Sequence, residues 1–89
     1  PINLSSISRL RVSAFNLLPN PAHDQVTVMF ARYVKPNQSL EIYNLQGQLV
    51  LTQKDITQNA TIYISALQNG MYFCRLSDET DVVKLVIVR

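Results

Sequence analysis

The chain has 89 residues, 47% of them hydrophobic, which fits one globular domain and excludes both a second domain and a disordered segment. Its net charge of +2 comes from Arg9 and Arg11. From Phe15 onward six basic residues (Arg32, Lys35, Lys54, Arg75, Lys84, Arg89) balance six acidic ones (Asp24, Glu41, Asp55, Asp78, Glu79, Asp81), so no basic stripe tracks a phosphate backbone and nucleic-acid binding is not expected.

Cys74 is the only cysteine, so no internal disulfide can form, and its apolar strand setting marks it as a small buried hydrophobe. No run approaches the roughly 20 apolar residues of a membrane helix. Charged residues are only 16% of the chain, a composition that suits an extracytoplasmic β module. The chain carries no signal-peptide pattern, and Pro1 in place of Met points to a fragment of a longer protein or a processed product.

Residues 1–14 read as a Ser-containing linker, with room for a short edge strand at Arg9–Val12, and the domain proper is expected over 15–89. Phe15, Leu17 and Leu18 form a short first strand that ends at Pro19-Asn20-Pro21. Each Pro lacks an N–H and pushes the preceding residue out of the α region, and Asn20 is expected to bond its local backbone. Gln25 to Arg32 alternates as a second strand, with Val26, Val28 and Phe30 toward the core. A hairpin follows, with strands near Ser39–Asn44 and Gln48–Gln53, and Gly47 supplies the positive φ that closes its turn. Lys54 to Asn59 reads as polar and irregular. Thr61–Ser65, Met71–Ser77 and Val82–Arg89 are further strands, separated by an Asn69-Gly70 corner and by the polar turn Asp78-Glu79-Thr80-Asp81. About seven short strands with regular turn signals and no helical period predict an all-β fold, an immunoglobulin-like antiparallel β-sandwich. Leu67-x-x-Gly70-x-Tyr72 either builds a tyrosine corner, with the hydroxyl bonded to upstream backbone, or simply places a core aromatic at the edge.

Catalytic chemistry finds no support. His23 beside Asp24 lies in a polar loop, without a nucleophile pattern around it, and reads as a solvated histidine. One His and one Cys far apart give no zinc spacing, and the acidic turn lacks the Asp-x-Asp-x-Asp-Gly order of a calcium loop, so no metal is expected. Gly47 and Gly70 are the only glycines, which leaves no phosphate loop. No cofactor is expected, and the domain is not expected to be an enzyme.

The last strand is unusual. Val83, Leu85 and Ile87 fill one face, and Val82, Val86 and Val88 sit with Lys84 on the other. Such a strand is either central and covered on both sides, or it exposes an apolar strip to a partner.

In chain order, Pro19-Asn20-Pro21, Asp24-Gln25-Val26-Thr27-Val28, Leu40-Glu41-Ile42-Tyr43-Asn44-Leu45-Gln46-Gly47-Gln48-Leu49-Val50, Leu67-Gln68-Asn69-Gly70-Met71-Tyr72-Phe73-Cys74-Arg75-Leu76 and Lys84-Leu85-Val86-Ile87-Val88-Arg89 together resemble the C-terminal sorting domain (type A) of the type IX secretion system of Bacteroidetes. The resemblance covers about Phe15 to Arg89. It implies a secretion address at the end of a larger cargo protein. The cargo would enter the periplasm, pass the outer-membrane translocon with the help of a shuttle protein, and reach the cell surface or be secreted. It also implies a sortase-like protease that cuts within or before residues 1–14 and attaches the cargo to anionic lipopolysaccharide. The family's recognition strand carries over to Lys84, Leu85, Val86, Ile87, Val88 and Arg89. Gln48 stands where the family often has a basic residue, Arg89 where it often has Lys, and Cys74 where an aliphatic residue is usual. Two alternatives remain: a domain retained at the surface to anchor or dock a machinery component, and an adhesive or carbohydrate-binding sandwich using Tyr33, Tyr43 or Tyr63, which the absence of Trp weakens. An edge strand able to pair between copies would give a homodimer.

Overall fold

Alternation decides which side chains the strands bury. In the computed structural model, which describes residues 13–89, β1 (Phe15–Leu18) turns Phe15 and Leu17 inward and Asn16 and Leu18 outward. β2 (Gln25–Phe30) buries Val26 and Val28, with Phe30 packed against the core. β3 (Gln38–Tyr43) buries Gln38, Leu40 and Ile42. β4 (Leu49–Ile56) and β5 (Thr61–Tyr63) contribute Ile56 and Ile62. β6 (Gly70–Leu76) buries Tyr72, Cys74 and Leu76, and β7 (Val82–Ile87) buries Leu85 and Ile87. Each buried aliphatic or phenyl side chain is worth about 1.5–3 kcal/mol relative to exposure.

The strands form a three-stranded sheet, β1-β2-β5, and a four-stranded sheet, β4-β3-β6-β7. All pairings between these strands are antiparallel. Their inner faces meet in one core, with Phe15, Leu17, Val26, Val28 and Ile62 from the first sheet and Leu40, Ile42, Cys74, Leu76, Leu85 and Ile87 from the second. The fold is an all-β sandwich, with no helix among the described residues. The expected edge strand at Arg9–Val12 lies outside the described residues.

The hairpin turn forms as expected. The Gly47 N–H donates to Asn44 O at 3.0 Å, and Gly47 sits at φ +82°. The Asn44 side chain reinforces the turn by accepting from the Gln46 and Gln48 N–H groups, both at 3.0 Å.

The return strand differs from expectation. It runs on to Ile56 instead of ending at Gln53. The reason is a pair of bulges, both on β4. Tyr43 faces Leu49 while Ile42 faces Leu51, and Gln38 faces Ile56 while Leu40 faces Gln53. Asp55, at φ +56°, takes up the second bulge. An inserted residue breaks the period-two pattern, so Lys54-Asp55 reads as loop although the ladder continues beyond it.

At the Leu67–Tyr72 corner, the Tyr72 hydroxyl donates to Gln68 O at 2.7 Å, and Tyr72 is buried. The tyrosine-corner reading therefore holds over that of a plain core aromatic.

Candidate functional site

β7 lies at the end of the four-stranded sheet and pairs with β6 alone among the described strands. Its inward residues Leu85 and Ile87 are in the core, while Val82, Lys84 and Val88 are exposed and Val86 is half-buried. Lys84, Val86, Val88 and Arg89 are thus the expected recognition residues with surface that a partner can touch. Leu85 and Ile87 act by holding the strand in place.

The outer edge of β7 is occupied. The Asn20 side chain behaves like a peptide group. Its Nδ2 donates to Lys84 O at 2.7 Å, and its Oδ1 accepts from the Val86 N–H at 3.0 Å. Two residues on, the Ala22 N–H donates to Val86 O at 2.7 Å and Ala22 O accepts from the Val88 N–H at 2.9 Å. Ala22 and Ile87 form a parallel bridge. The segment Pro19-Asn20-Pro21-Ala22, whose two X–Pro bonds are cis, is therefore a surrogate strand laid along the edge. Asn20 bonds a strand more than sixty residues away instead of its local backbone, and nothing near it in sequence marks that partner.

Arg89 is fixed as well. Its Nε donates to Asp24 Oδ1 at 3.1 Å, its Nη2 to Ile64 O at 2.7 Å and its Nη1 to Leu67 O. His23 is exposed, with Nδ1 against Val88 O. Asp24 thus pairs with Arg89, and the sequence neighbours His23 and Asp24 serve separate partners. The acids of the 78–81 turn also have structural uses. Arg32 bridges Glu79 at 2.9 Å and Asp81 at 3.2 Å, and the buried Asp81 accepts from the Ala14 N–H. The Glu79 carboxylate is the main cause of the raised Arg32 pKa.

The outward side chains of β7 continue across the sheet. Val86 faces Met71, Lys84 faces Phe73, and Val82 faces Arg75. Phe73 faces Tyr43, which in turn faces Leu49. Phe73 and Met71 keep 37% and 40% of their surface exposed. Beside them, Arg75 donates to Glu41 Oε1 at 2.9 Å, and the Tyr43 hydroxyl donates to the same oxygen at 2.8 Å. The Arg75 hydrogen bond, then that of Tyr43, holds the Glu41 carboxyl below its ordinary range. The same contacts raise Tyr43 and Arg75, and the Arg75 guanidinium lies 5.9 Å from the Tyr43 ring centre. Beneath this face, burial pushes the Cys74 thiol up to about 12, which keeps it protonated and unreactive.

The family model of the secretion system C-terminal sorting domain matches residues 16–89. The chain belongs to the type IX C-terminal sorting domains. Comparison with curated proteins returns no match. Sorting domains are signals and generally non-catalytic, and membership implies interaction with the type IX secretion machinery and export to the cell surface or secretion.

In this sorting domain, the structure gathers Lys84, Val86 and Val88 on one outward strip and directs Arg89 back onto the sandwich. Sequence reasoning did not find Asn20 and Ala22 as partners of the terminal strand, nor Met71, Phe73 and Leu49 as neighbours of its outward face. The alternation of β6 carried a signal for Met71 and Phe73. For Asn20 the only local signal was the rigid Pro-Asn-Pro segment.

Proposed function

We propose that this domain is the address that directs a larger cargo protein through the type IX system. The cargo crosses the periplasm, is received through the outward strip of β7 by an outer-membrane shuttle and passes the translocon. A cell-surface sortase-like protease then removes the domain by cutting upstream of residue 15, in or before the linker at 1–14, and joins the cargo to anionic lipopolysaccharide. The domain itself performs no catalysis. The observation that carries this reading is the family match over residues 16–89.

The test is a fusion of the whole chain to the C-terminus of a periplasm-directed reporter in a type IX host. The reporter is expected at the cell surface, and a reporter lacking the domain is expected to stay in the periplasm. Equal localisation of the two would defeat the proposal. Val88→Asp, on the outward strip, is the variant for terminal-strand recognition, because deleting Val86–Arg89 would also strip Ile87 from the core and Arg89 from its three partners. Mass spectrometry of the exported fusion shows whether the domain has been cut off or retained.

A further inference from the structure

We infer that the outer face of the four-stranded sheet, from Leu49 and Tyr43 through Phe73 and Met71 to Val86 and Lys84, docks a protein component of the type IX machinery. That component presents an apolar patch with a carboxylate placed against Lys84. The inference rests on the sorting-domain reading and extends the recognition surface from β7 across β6 to β3 and β4.

A domain that must contact this machinery needs a surface for it, and the structure narrows the choice. Strand addition at a sheet edge is one mode of recognition. Here the β7 edge is bonded to Asn20 and Ala22, and β4 is bent by two bulges. β1 and β5 are only four and three residues long. Bonded, bulged and short edges are poor templates for an added strand. Among the described residues there is no pocket. Of the surfaces the sheets themselves present, the two outer faces remain.

Cross-strand pairing separates those faces. On the three-stranded sheet each outward apolar residue meets a polar one: Leu18 faces Thr27, Met29 faces Asn16, and Tyr63 faces Gln25. The apolar groups there are interrupted. On the four-stranded sheet Phe73 faces Lys84 and Val82 faces Arg75 across the β6–β7 ladder, but Leu49 faces Tyr43, Tyr43 faces Phe73, and Met71 faces Val86. The latter pairs run together into one apolar surface containing two aromatic rings and a Met, the residue types enriched at the centre of protein interfaces.

Charge selects the occupant. Glu41 and Arg75 neutralise each other on this face, and among the described residues Lys84 makes no ion pair. Lys54, on β4, likewise makes no ion pair, but Lys84 is the one paired across the ladder with Phe73, at the rim of the apolar centre, where an acidic group on the partner complements it. A second copy packed face to face about a twofold would bring the same uncompensated lysine from each side, so a different protein fits better.

The experiment uses the reporter fusion of the whole chain in a type IX host. Phe73→Ser, Met71→Ser and Lys84→Glu are each expected to lower surface reporter by about tenfold, the effect of an interface hot spot. Tyr63→Ser, on the opposite face, is expected to leave export unchanged. Thermal melts of the purified variants identify any that lose the fold. A photo-crosslinking amino acid at position 73 keeps the test open in that case, with an adduct to a type IX component expected at 73 and none at 63. Wild-type export with the three variants exported equally well overturns this inference alone, as does an adduct formed only with a second copy or with lipopolysaccharide. A wild-type fusion that stays in the periplasm overturns the sorting reading and this inference with it.

Discussion

Asn20→Ala removes both side-chain bonds from the outer edge of β7, the donation to Lys84 O and the acceptance from the Val86 N–H. A neutral hydrogen bond is worth about 0.5–1.5 kcal/mol net, and water can replace a partner at an exposed edge, so the two together are worth about 1–2 kcal/mol. In a domain of this size that is a fall of roughly 4–16 °C in Tm. Urea denaturation followed by circular dichroism reads the loss. Amide hydrogen exchange assigns it to residues: the Val86 N–H should lose protection, while the Val88 N–H, bonded to Ala22 O, should keep most of its own. Asn20→Asp retains the acceptor but loses the donor and sets a carboxylate against the Lys84 carbonyl, so it should do no better than Ala. An Asn20→Ala domain with an unchanged midpoint and unchanged Val86 exchange would show that the surrogate strand contributes nothing to holding β7.

Tyr72→Phe leaves the ring in place and removes the bond to Gln68 O. It should cost about 1–1.5 kcal/mol, read by the same denaturation curves, and a neutral result would reduce the corner to a packed ring. Glu41 bears on acid stability. Its carboxyl is held low in the folded state by Arg75 and Tyr43, so its stabilising contribution is fully present above the unfolded-state pKa and is lost as pH falls through the lower folded value. Glu41→Gln should therefore flatten the acid limb of the stability-versus-pH curve, and a wild-type acid limb in the variant would refute the assignment.

Sequence alternation located most of the described strands, because they bury one face and burial of every second side chain is written directly in the residue order, whereas β4, which buries only Ile56, was located from its hairpin turn. Gly47 was equally readable, since its turn needs a positive φ that side chains disfavour. The reading failed where one residue breaks the period or where a contact is distant. Asp55 carries a bulge and looked like a loop. Asn20 has its partners on a strand at the other end of the domain, and no local rule reaches that far. For the outward strip of β7, the sequence supplied the two faces of the strand but could not say whether the second was covered. Its place at the end of the sheet answers that: Lys84 and Val88 face solvent, and only the edge is closed.

That closure also makes the fold a check on completeness. The bonds from Asn20, His23 and Asp24 reach residues 64 to 66 positions later in the chain, and Arg89 ties down the carbonyls of Ile64 and Leu67. A chain broken anywhere before Lys84 leaves both groups without partners and leaves Tyr72 and Cys74 beside an uncovered core. The early strands are thus sealed by β7, the last described strand in chain order. A product truncated within the domain has no finished sandwich, and a domain built this way does not close until the chain has been made through β7.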